Sequence, residues 1–582
     1  MTKIEKRKGI LPGRMKLISV FVLAFASILI YRLYDIQIVK GEEYNREAEK
    51  QYFRLRPNSQ NRGSIFFSNK DSSLFPAAIQ KIGFIITIDP SIISTESHEY
   101  TFEKLASVIE LERDFFMERV QKKETKHQEI AKRVDLEKAE KIRKLNLSGV
   151  FISQERWRSY PGETLAAHAL GFVGYQGDEL AGRYGLERTY EKTLKRSEES
   201  SFANFFAEVF SNVKESVSSD DSSEVSEKEG NIVATIEPQV QAFLEEELKS
   251  LNDKWGAKYS GGIIIDPNSG ELIAMSVFPH FDANNLKNEK DISIFNNPMV
   301  ENVYEMGSIM KALTMASGLD AGVVTPMSVY YDEGVIYLDN RAIYNFDGKG
   351  RGLVDMQSVL NNSLNTGAAF VVGQMGKNKF AKYMFDFGLG ERTGIDLPNE
   401  AANLVNNLQS VRDVEYATAS FGQGIAVTPI SMVRALSALA NGGFLIKPHF
   451  IKKIDYTTGL SKNISFEKGR RVIKEETSEE ISRMLTRVVD EALLGGTVKM
   501  ENYSVAAKTG TAQIAKEDAR EYYDDKFFHT FFGYFPSFDP KFLVFIFSYD
   551  PRGVRYASET LTLPFVSITK YLINYYEIPP DR

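Results

Sequence analysis

The sequence predicts an α+β protein: an antiparallel sheet packed between helices, preceded by a mixed α/β domain and an N-terminal membrane-spanning helix. Three observations predict it. A basic cluster abuts the most apolar run of the chain, a stretch dense in Ser, Glu and Asp interrupts the first half, and paired β-rich runs stand at both ends of the second half with helical periodicity between them. At 582 residues the chain exceeds what one core supports, so two or more domains are expected. The expected division is a basic tail (1–16), an anchor (17–38), a mixed domain (39–255) and a main domain (256–582).

Lys3, Lys6, Arg7, Lys8, Arg14 and Lys16 precede an uncharged run from Leu17 to Tyr31. A basic flank on this side keeps the N-terminus in the cytoplasm. A crossing needs roughly 20 residues for about 30 Å of hydrocarbon, a length reached by including Arg32 to Ile38 with Arg32 snorkelling. Ala24-Phe25-Ala26 resembles a signal-peptide cleavage triplet, but Ser27-Ile28-Leu29-Ile30 prolongs the apolar run past it, which favours an uncleaved anchor.

From Lys40 to about Arg196, short apolar runs alternate with charged helical stretches such as Glu103 to Arg119 and Val134 to Lys144, and none carries recognisable chemistry. The segment 197–230 includes Ser216-Val217-Ser218-Ser219-Asp220-Asp221 and has too little apolar surface to order itself, so it reads as a solvated insertion. Phe202, Phe205, Phe206 and Phe210 within it have helical spacing. A linker helix is expected over 238–251, with Pro238 near its start.

In the main domain, Gly261 to Asp266 and Glu271 to Val277 flank Pro267-Asn268-Ser269-Gly270, a hairpin signal. Phe527 to Phe535 and Phe542 to Tyr549 form a second β pair, and a helix is expected from about Leu561 to Tyr576. Strands first, helices between and strands last describe a sheet covered by helices.

Composition excludes several function classes. Net charge is −7 with acids and bases interspersed, so there is no basic stripe for nucleic acid. Cysteine is absent, which removes disulfides and thiolate metal sites. The six histidines show no HExxH spacing, and no GxSxG elbow or Walker loop occurs; Gly348-Lys349-Gly350 and Gly422-Gln423-Gly424 read as turns. No metal or cofactor is expected.

Three short strings carry the chemistry. Ser308 follows Gly307 and opens an apolar helical pattern from Ile309 to Leu319, so Lys311 lies one turn away on the same face. A serine hydroxyl needs a base within hydrogen-bond reach, and a lysine serves when burial and nearby cations lower its pKa. Taken alone, this string is better described as an N-cap serine with a solvated lysine, and SxxK recurs at Ser211-Lys214 and Ser465-Lys468; the apolar flanks Met310, Ala312 and Leu313 point instead to a buried helix. Ser363-Leu364-Asn365 ends the periodic run from Met356, with Thr366-Gly367 expected to break it; its hydroxyl and amide could face one cleft, or merely form a turn. Lys508-Thr509-Gly510-Thr511 continues a strand-like stretch and occurs once, whereas SxN recurs at Ser250-Asn252 and Ser461-Asn463. Lys508 and Thr509 offer a cation and a donor for a terminal carboxylate, and Gly510 leaves room for another backbone; a lysine on a surface bulge is the bland alternative.

In this order and spacing the strings resemble those of class B penicillin-binding proteins. The similarity extends to Asp266-Pro267-Asn268-Ser269-Gly270, Tyr304-Glu305-Met306-Gly307, Ser420-Phe421-Gly422-Gln423-Gly424 and Ala440-Asn441-Gly442-Gly443, and upstream to Arg62-Gly63-Ser64-Ile65, Tyr160-Pro161 and Gly185-Leu186-Glu187. Two departures, Phe67-Ser68-Asn69-Lys70-Asp71 and Thr235-Ile236-Glu237, lie outside the catalytic strings. The resemblance implies the penicillin-binding transpeptidase fold on a pedestal of the family's dimerisation type. It implies that Ser308 attacks the penultimate D-Ala carbonyl of a peptidoglycan stem peptide, with Lys311 as base, Ser363 as proton relay and Asn365 orienting Lys311 and the substrate amide. Lys508, Thr509 and Gly510 would bind the terminal carboxylate side, and the backbone N–H groups of Ser308 and Thr511 would form the oxyanion hole.

The resemblance also implies acylation of the same serine by β-lactams, no cofactor, a single-pass anchor in the plasma membrane with the catalytic domain outside, and membrane partners of the division or elongation machinery, among them a SEDS-family glycosyltransferase. Arg32, Gln37, Gly41, Tyr44 and Gln51 are more similar to division-type than to elongation-type members. A D,D-carboxypeptidase and a non-catalytic scaffold or β-lactam sensor are the alternatives.

Overall fold

The computed structural model describes residues 25, 29, 61–177, 179–196, 229–466, 468–516 and 521–582. The tail, the anchor apart from Phe25 and Leu29, and the insertion with its four phenylalanines lie outside them. No described helix is long and apolar enough to cross a membrane. The chain forms two compact units, one containing 82–157 and one containing 60–81 with 158–582.

In the smaller unit, the second part of the strand Leu74–Ile88 pairs antiparallel with Gln128–Val134. Ile86, Ile88, Leu105, Phe116, Val120 and Ile142 form its core. The expected helix over Glu103 to Arg119 is instead two, His98–Ala106 and Arg113–Val120. Glu112 is extended and serves as the N-cap position of the second, so the charged periodicity continues across a real break. Helix Leu136–Lys144 begins where Asp135 caps it by accepting from the Lys138 N–H.

The larger unit holds the site. The sheet that carries it has five antiparallel strands in the order Ala506–Ala515, Tyr522–Phe535, Phe542–Tyr549, Tyr259–Ile265 and Leu272–Phe278. Both faces are buried, and period-two alternation sorts the side chains between them. Phe531, Val544, Ile546 and Ile264 face helices Pro238–Trp255 and Ala557–Tyr575. Phe528, Phe532, Phe545, Ile263 and Ile265 face the core that includes helices Met310–Asp320, Pro429–Ala440 and Glu475–Arg487.

Helix Pro238–Trp255 has Pro at its first turn, Glu237 accepting from the Val240 N–H, and Gly256 in the left-handed conformation at its end. Val240, Leu244, Leu248 and Leu251 make its buried stripe, each worth about 1.5–3 kcal/mol. The last helix starts at Ala557, earlier than the apolar periodicity suggests, because Glu559 closes a capping box with Tyr556.

The middle of the main domain is less uniformly helical than its sequence reads. Two ribbons interrupt it, Val329–Asp332 with Gly352–Asp355 and Val335–Leu338 with Arg341–Tyr344. Asp339 and Asn340 both have positive φ, which makes the second a two-residue hairpin. Thr366-Gly367 does not end a helix: helix Met356–Asn361 stops first, and Asn365–Met375 begins a new one containing both residues. Gly367 is there for proximity, since a Cβ would stand 2.4 Å from a Val359 methyl.

Candidate active site

Ser308 lies in a 3₁₀ turn, Gly307–Ile309, that runs directly into helix Met310–Asp320. Every residue from Met310 to Gly318 is buried, so the helix is a core element whose first turn reaches a cleft. Gly307 has φ +62° and Gly422 φ +82°, and their backbones touch: a Cβ on Gly422 would meet the Gly307 oxygen at 2.3 Å. The Gly307 N–H donates to the Gly422 carbonyl at 3.2 Å. The stretch 422–424, read as a mere turn, is therefore the buttress of the nucleophile turn, and Gln423 lines the cleft.

Lys311 Nζ stands 3.0 Å from Ser308 Oγ, 2.5 Å from the Ser363 carbonyl oxygen and 3.2 Å from Ser363 Oγ. Ser363 reaches this position through a left-handed backbone, φ +54°, in the break between two helices. Such a conformation is strained for a non-glycine residue and persists where surrounding contacts enforce it. Lys508 Nζ lies 3.1 Å from the same Ser363 Oγ. One hydroxyl thus bridges two lysines, and no carboxylate among the described residues is paired with either.

The electrostatics follow. Burial pushes the Lys311 ammonium well below the ordinary lysine range, and the positive charge of Lys508 pushes it further the same way. Burial alone lowers Lys508 to about 8. The pair is therefore graded: the amine on the serine side gives up its proton more readily than an ordinary lysine, and the one on the strand side stays a cation below about pH 8.

Strand Ala506–Ala515 carries Lys508, Thr509, Gly510 and Thr511 and is an edge of the sheet. Gly510 is explained from within the chain: a Cβ would meet Thr530 Oγ1 at 2.3 Å and the Met306 carbonyl at 2.7 Å. The backbone that needs this glycine belongs to the nucleophile segment, which is locked to the strand. Thr509 and Thr511 line the cleft, and Thr511 Oγ1 accepts from the Ala557 N–H at 3.0 Å.

Asn365 lines the cleft, but its amide nitrogen donates to the Tyr344 carbonyl at 2.8 Å and no hydrogen bond to Lys311 is present. A buried network holds this corner. Asn345 Nδ2 donates to both Asp332 oxygens at 3.0 Å, and Thr366 Oγ1 donates to Asp332 Oδ1 at 2.8 Å. The cleft encloses about 780 Å³, and Tyr344, Phe346, Arg351, Arg555 and Tyr556 join its walls. None of these five was singled out from sequence. The Asp339-Asn340 turn between β-rich runs was a readable signal for the ribbon carrying Tyr344.

The sequence matches the penicillin binding protein transpeptidase domain over residues 261–566 and the penicillin-binding protein dimerisation domain over residues 59–223. It is 32% identical over 557 residues to stage V sporulation protein D of Bacillus subtilis, covering 94% of this chain and 83% of that one. The chain belongs to the class B penicillin-binding proteins. This penicillin-binding protein is also 25% identical to the peptidoglycan D,D-transpeptidase FtsI of Escherichia coli, with 99% and 94% of the two chains covered. Its fold is that of penicillin-binding protein 2X from Streptococcus thermophilus, with a TM-score of 0.73 at 19% identity over 90% of this chain and 81% of that one. A penicillin-binding protein 3 from Mycobacterium, solved with aztreonam, has a TM-score of 0.62 at 24% identity, covering 74% and 92% of the two chains.

Proposed function

We propose that this class B penicillin-binding protein is a peptidoglycan D,D-transpeptidase that crosslinks stem peptides through an ester on Ser308. The observation that carries the reading is the 3.0 Å approach of Lys311 Nζ to Ser308 Oγ in a site whose only other nearby cation, among the described residues bonded to Ser363, is Lys508. Ser308 Oγ bonds to the penultimate D-Ala carbonyl carbon and its proton passes to the Lys311 amine. The bond to the terminal D-Ala nitrogen then breaks, and the proton reaches that leaving amine through the Ser363 hydroxyl. An acceptor amine attacks the ester, returns a proton by the same route, and restores Ser308.

Lys508 and the Thr509 hydroxyl receive the terminal carboxylate, the backbone N–H groups of Ser308 and Thr511 form the oxyanion hole, and Gly510 holds the strand against the nucleophile segment. The free edge of strand Ala506–Ala515 supports binding of the donor peptide as an added strand. Asn365 contacts the substrate amide rather than Lys311, in keeping with its bond to Tyr344. β-Lactams acylate the same serine.

The basic cluster and apolar run at 1–38 support a single-pass plasma-membrane anchor with the catalytic domain outside. The similarity to FtsI and to stage V sporulation protein D supports a division-type role; work beside a membrane glycan polymerase of the SEDS family rests on the family resemblance of the sequence alone. The test is labelling with a fluorescent penicillin followed by mapping of the modified peptide, with Ser308→Ala as the variant. The expected result is label on Ser308 and lost crosslinking in cells carrying the variant at normal level. Full rescue of crosslinking by Ser308→Ala would refute the enzyme reading, and release of D-Ala to water with no transfer to an added amine would make it a carboxypeptidase.

A further inference from the structure

Three basic side chains line the cleft, and they differ in what they touch. Lys508 is bonded to Ser363 Oγ. Arg351 is neutralised by a two-pronged contact with Asp347, at 2.9 and 2.8 Å. Arg555 lines the same cleft, is exposed, and makes no ion pair among the described residues. Its guanidinium lies 6.0 Å from the Phe527 ring centre and 5.6 Å from that of Tyr556, two rings that also line the cleft. Its backbone is fixed from behind, because buried His529 donates from Nε2 to the Arg555 carbonyl at 3.0 Å. An anchored arginine with a free planar fork, open to a cleft, suits a carboxylate.

Register tells which carboxylate. A donor peptide with its terminal carboxylate at Lys508 and Thr509 runs antiparallel along the edge strand, advancing about 3.4 Å per residue toward Gln513. Its third residue from the C-terminus then lies beside Thr511 to Gln513. Gln513 is the register partner of Phe527, the ring next to the Arg555 guanidinium. In a stem peptide ending in D-Ala-D-Ala this third residue is the diamino acid. We infer that Arg555 reads a free carboxylate on the side chain of that residue, so that the donor this enzyme prefers carries an unamidated diaminodicarboxylic acid rather than lysine. The inference rests on the D,D-transpeptidase reading above and adds the chemical class of its donor.

The test uses the purified full-length chain in detergent and three synthetic pentapeptides ending in D-Ala-D-Ala that differ only at the third residue: diaminopimelate, its side-chain carboxamide, and lysine. First-turnover release of D-Ala is measured without acceptor. The wild type is expected to favour the free carboxylate about tenfold in kcat/KM, Arg555→Ala to lower that ratio to near one, and Arg555→Lys to keep part of it. An equal rate for all three peptides with wild type, or a full preference retained by Arg555→Ala, would overturn the assignment. A preference that emerges only when an acceptor peptide is added also counts against it, since the carboxylate read would then be the acceptor's. Fluorescent penicillin has no third residue, so its labelling reports folding of each variant. A wild type that fails to label would refute the underlying reading instead, which keeps the two failures distinct.

Discussion

Two clusters of buried cationic side chains in the larger unit do opposite things. In one, Arg62 and Arg158 grip Glu187 from both sides, Nε to carboxylate oxygen at 2.7 and 2.6 Å, and Arg62 also meets Glu191 at 2.7 Å. Glu187 is 0% exposed. Burial alone would push its carboxyl up, but the two guanidinium groups outweigh that and hold it below the usual range. In the other, Lys311 and Lys508 are 1% and 3% exposed and share a serine hydroxyl, with no acid paired to either among the described residues. Counter-charge turns buried ions into a clamp between distant chain segments, whereas its omission leaves the desolvation uncompensated and converts a lysine into a base. A stability element and a catalytic one are thus told apart by their charge balance, not by their burial.

The largest expected effect comes from breaking the second cluster. Lys311→Ala should slow acylation by penicillin on the order of 10³-fold, within the range for loss of a general base, measured by stopped labelling kinetics. Its thermal unfolding should move far less than that of a clamp variant, since no counter-ion is orphaned.

Breaking the first cluster should show the reverse. Glu187→Gln leaves two buried guanidinium groups without their main partner, at about 3–5 kcal/mol. Chemical denaturation should register that loss, while the acylation rate of the molecules that remain folded stays near wild type. A folded, fully stable Glu187→Gln would contradict the clamp.

The mildest effect is in pH. Lys508 is charged below about 8 and loses its charge above it. Carboxylate binding should weaken there, so KM for a D-Ala-D-Ala peptide should rise through pH 8, about tenfold at full loss of the charge. kcat should already be high, because Lys311 sheds its proton well below the ordinary lysine range. Lys508→Arg, always charged, should abolish the rise in KM; a rise that persists in this variant assigns it to another group.

What could be read from the chain follows the same division. Ser308, Lys311 and the Lys508 to Thr511 string were legible because their chemistry demands fixed short spacings. The β runs 527–535 and 542–549 were legible because both sheet faces are buried, which keeps them almost continuously apolar. The clamp was not, because Arg62 and Glu187 stand 125 residues apart and nothing local marks either as the other's counter-ion. Gly367 and Gly510 looked like a helix breaker and an opening for a ligand; both are contact points set by tertiary neighbours, Val359 and Met306. Arg555 and Tyr344 lacked a motif of their own, since their place in the cleft depends on the capping of helix Ala557–Tyr575 and on the Asn345–Asp332–Thr366 network.

The proposed chemistry depends on a Lys311 amine made easier to deprotonate by burial and by the charge of Lys508. Carbon-13 labelling of the lysine side chains and an NMR titration, with Lys311→Ala to assign the signal, measures that state directly. The account predicts a Lys311 resonance that titrates well below the usual lysine range of about 10.4 and shifts upward in Lys508→Gln. A Lys311 that titrates with the surface lysines, or that ignores the loss of the Lys508 charge, would contradict it.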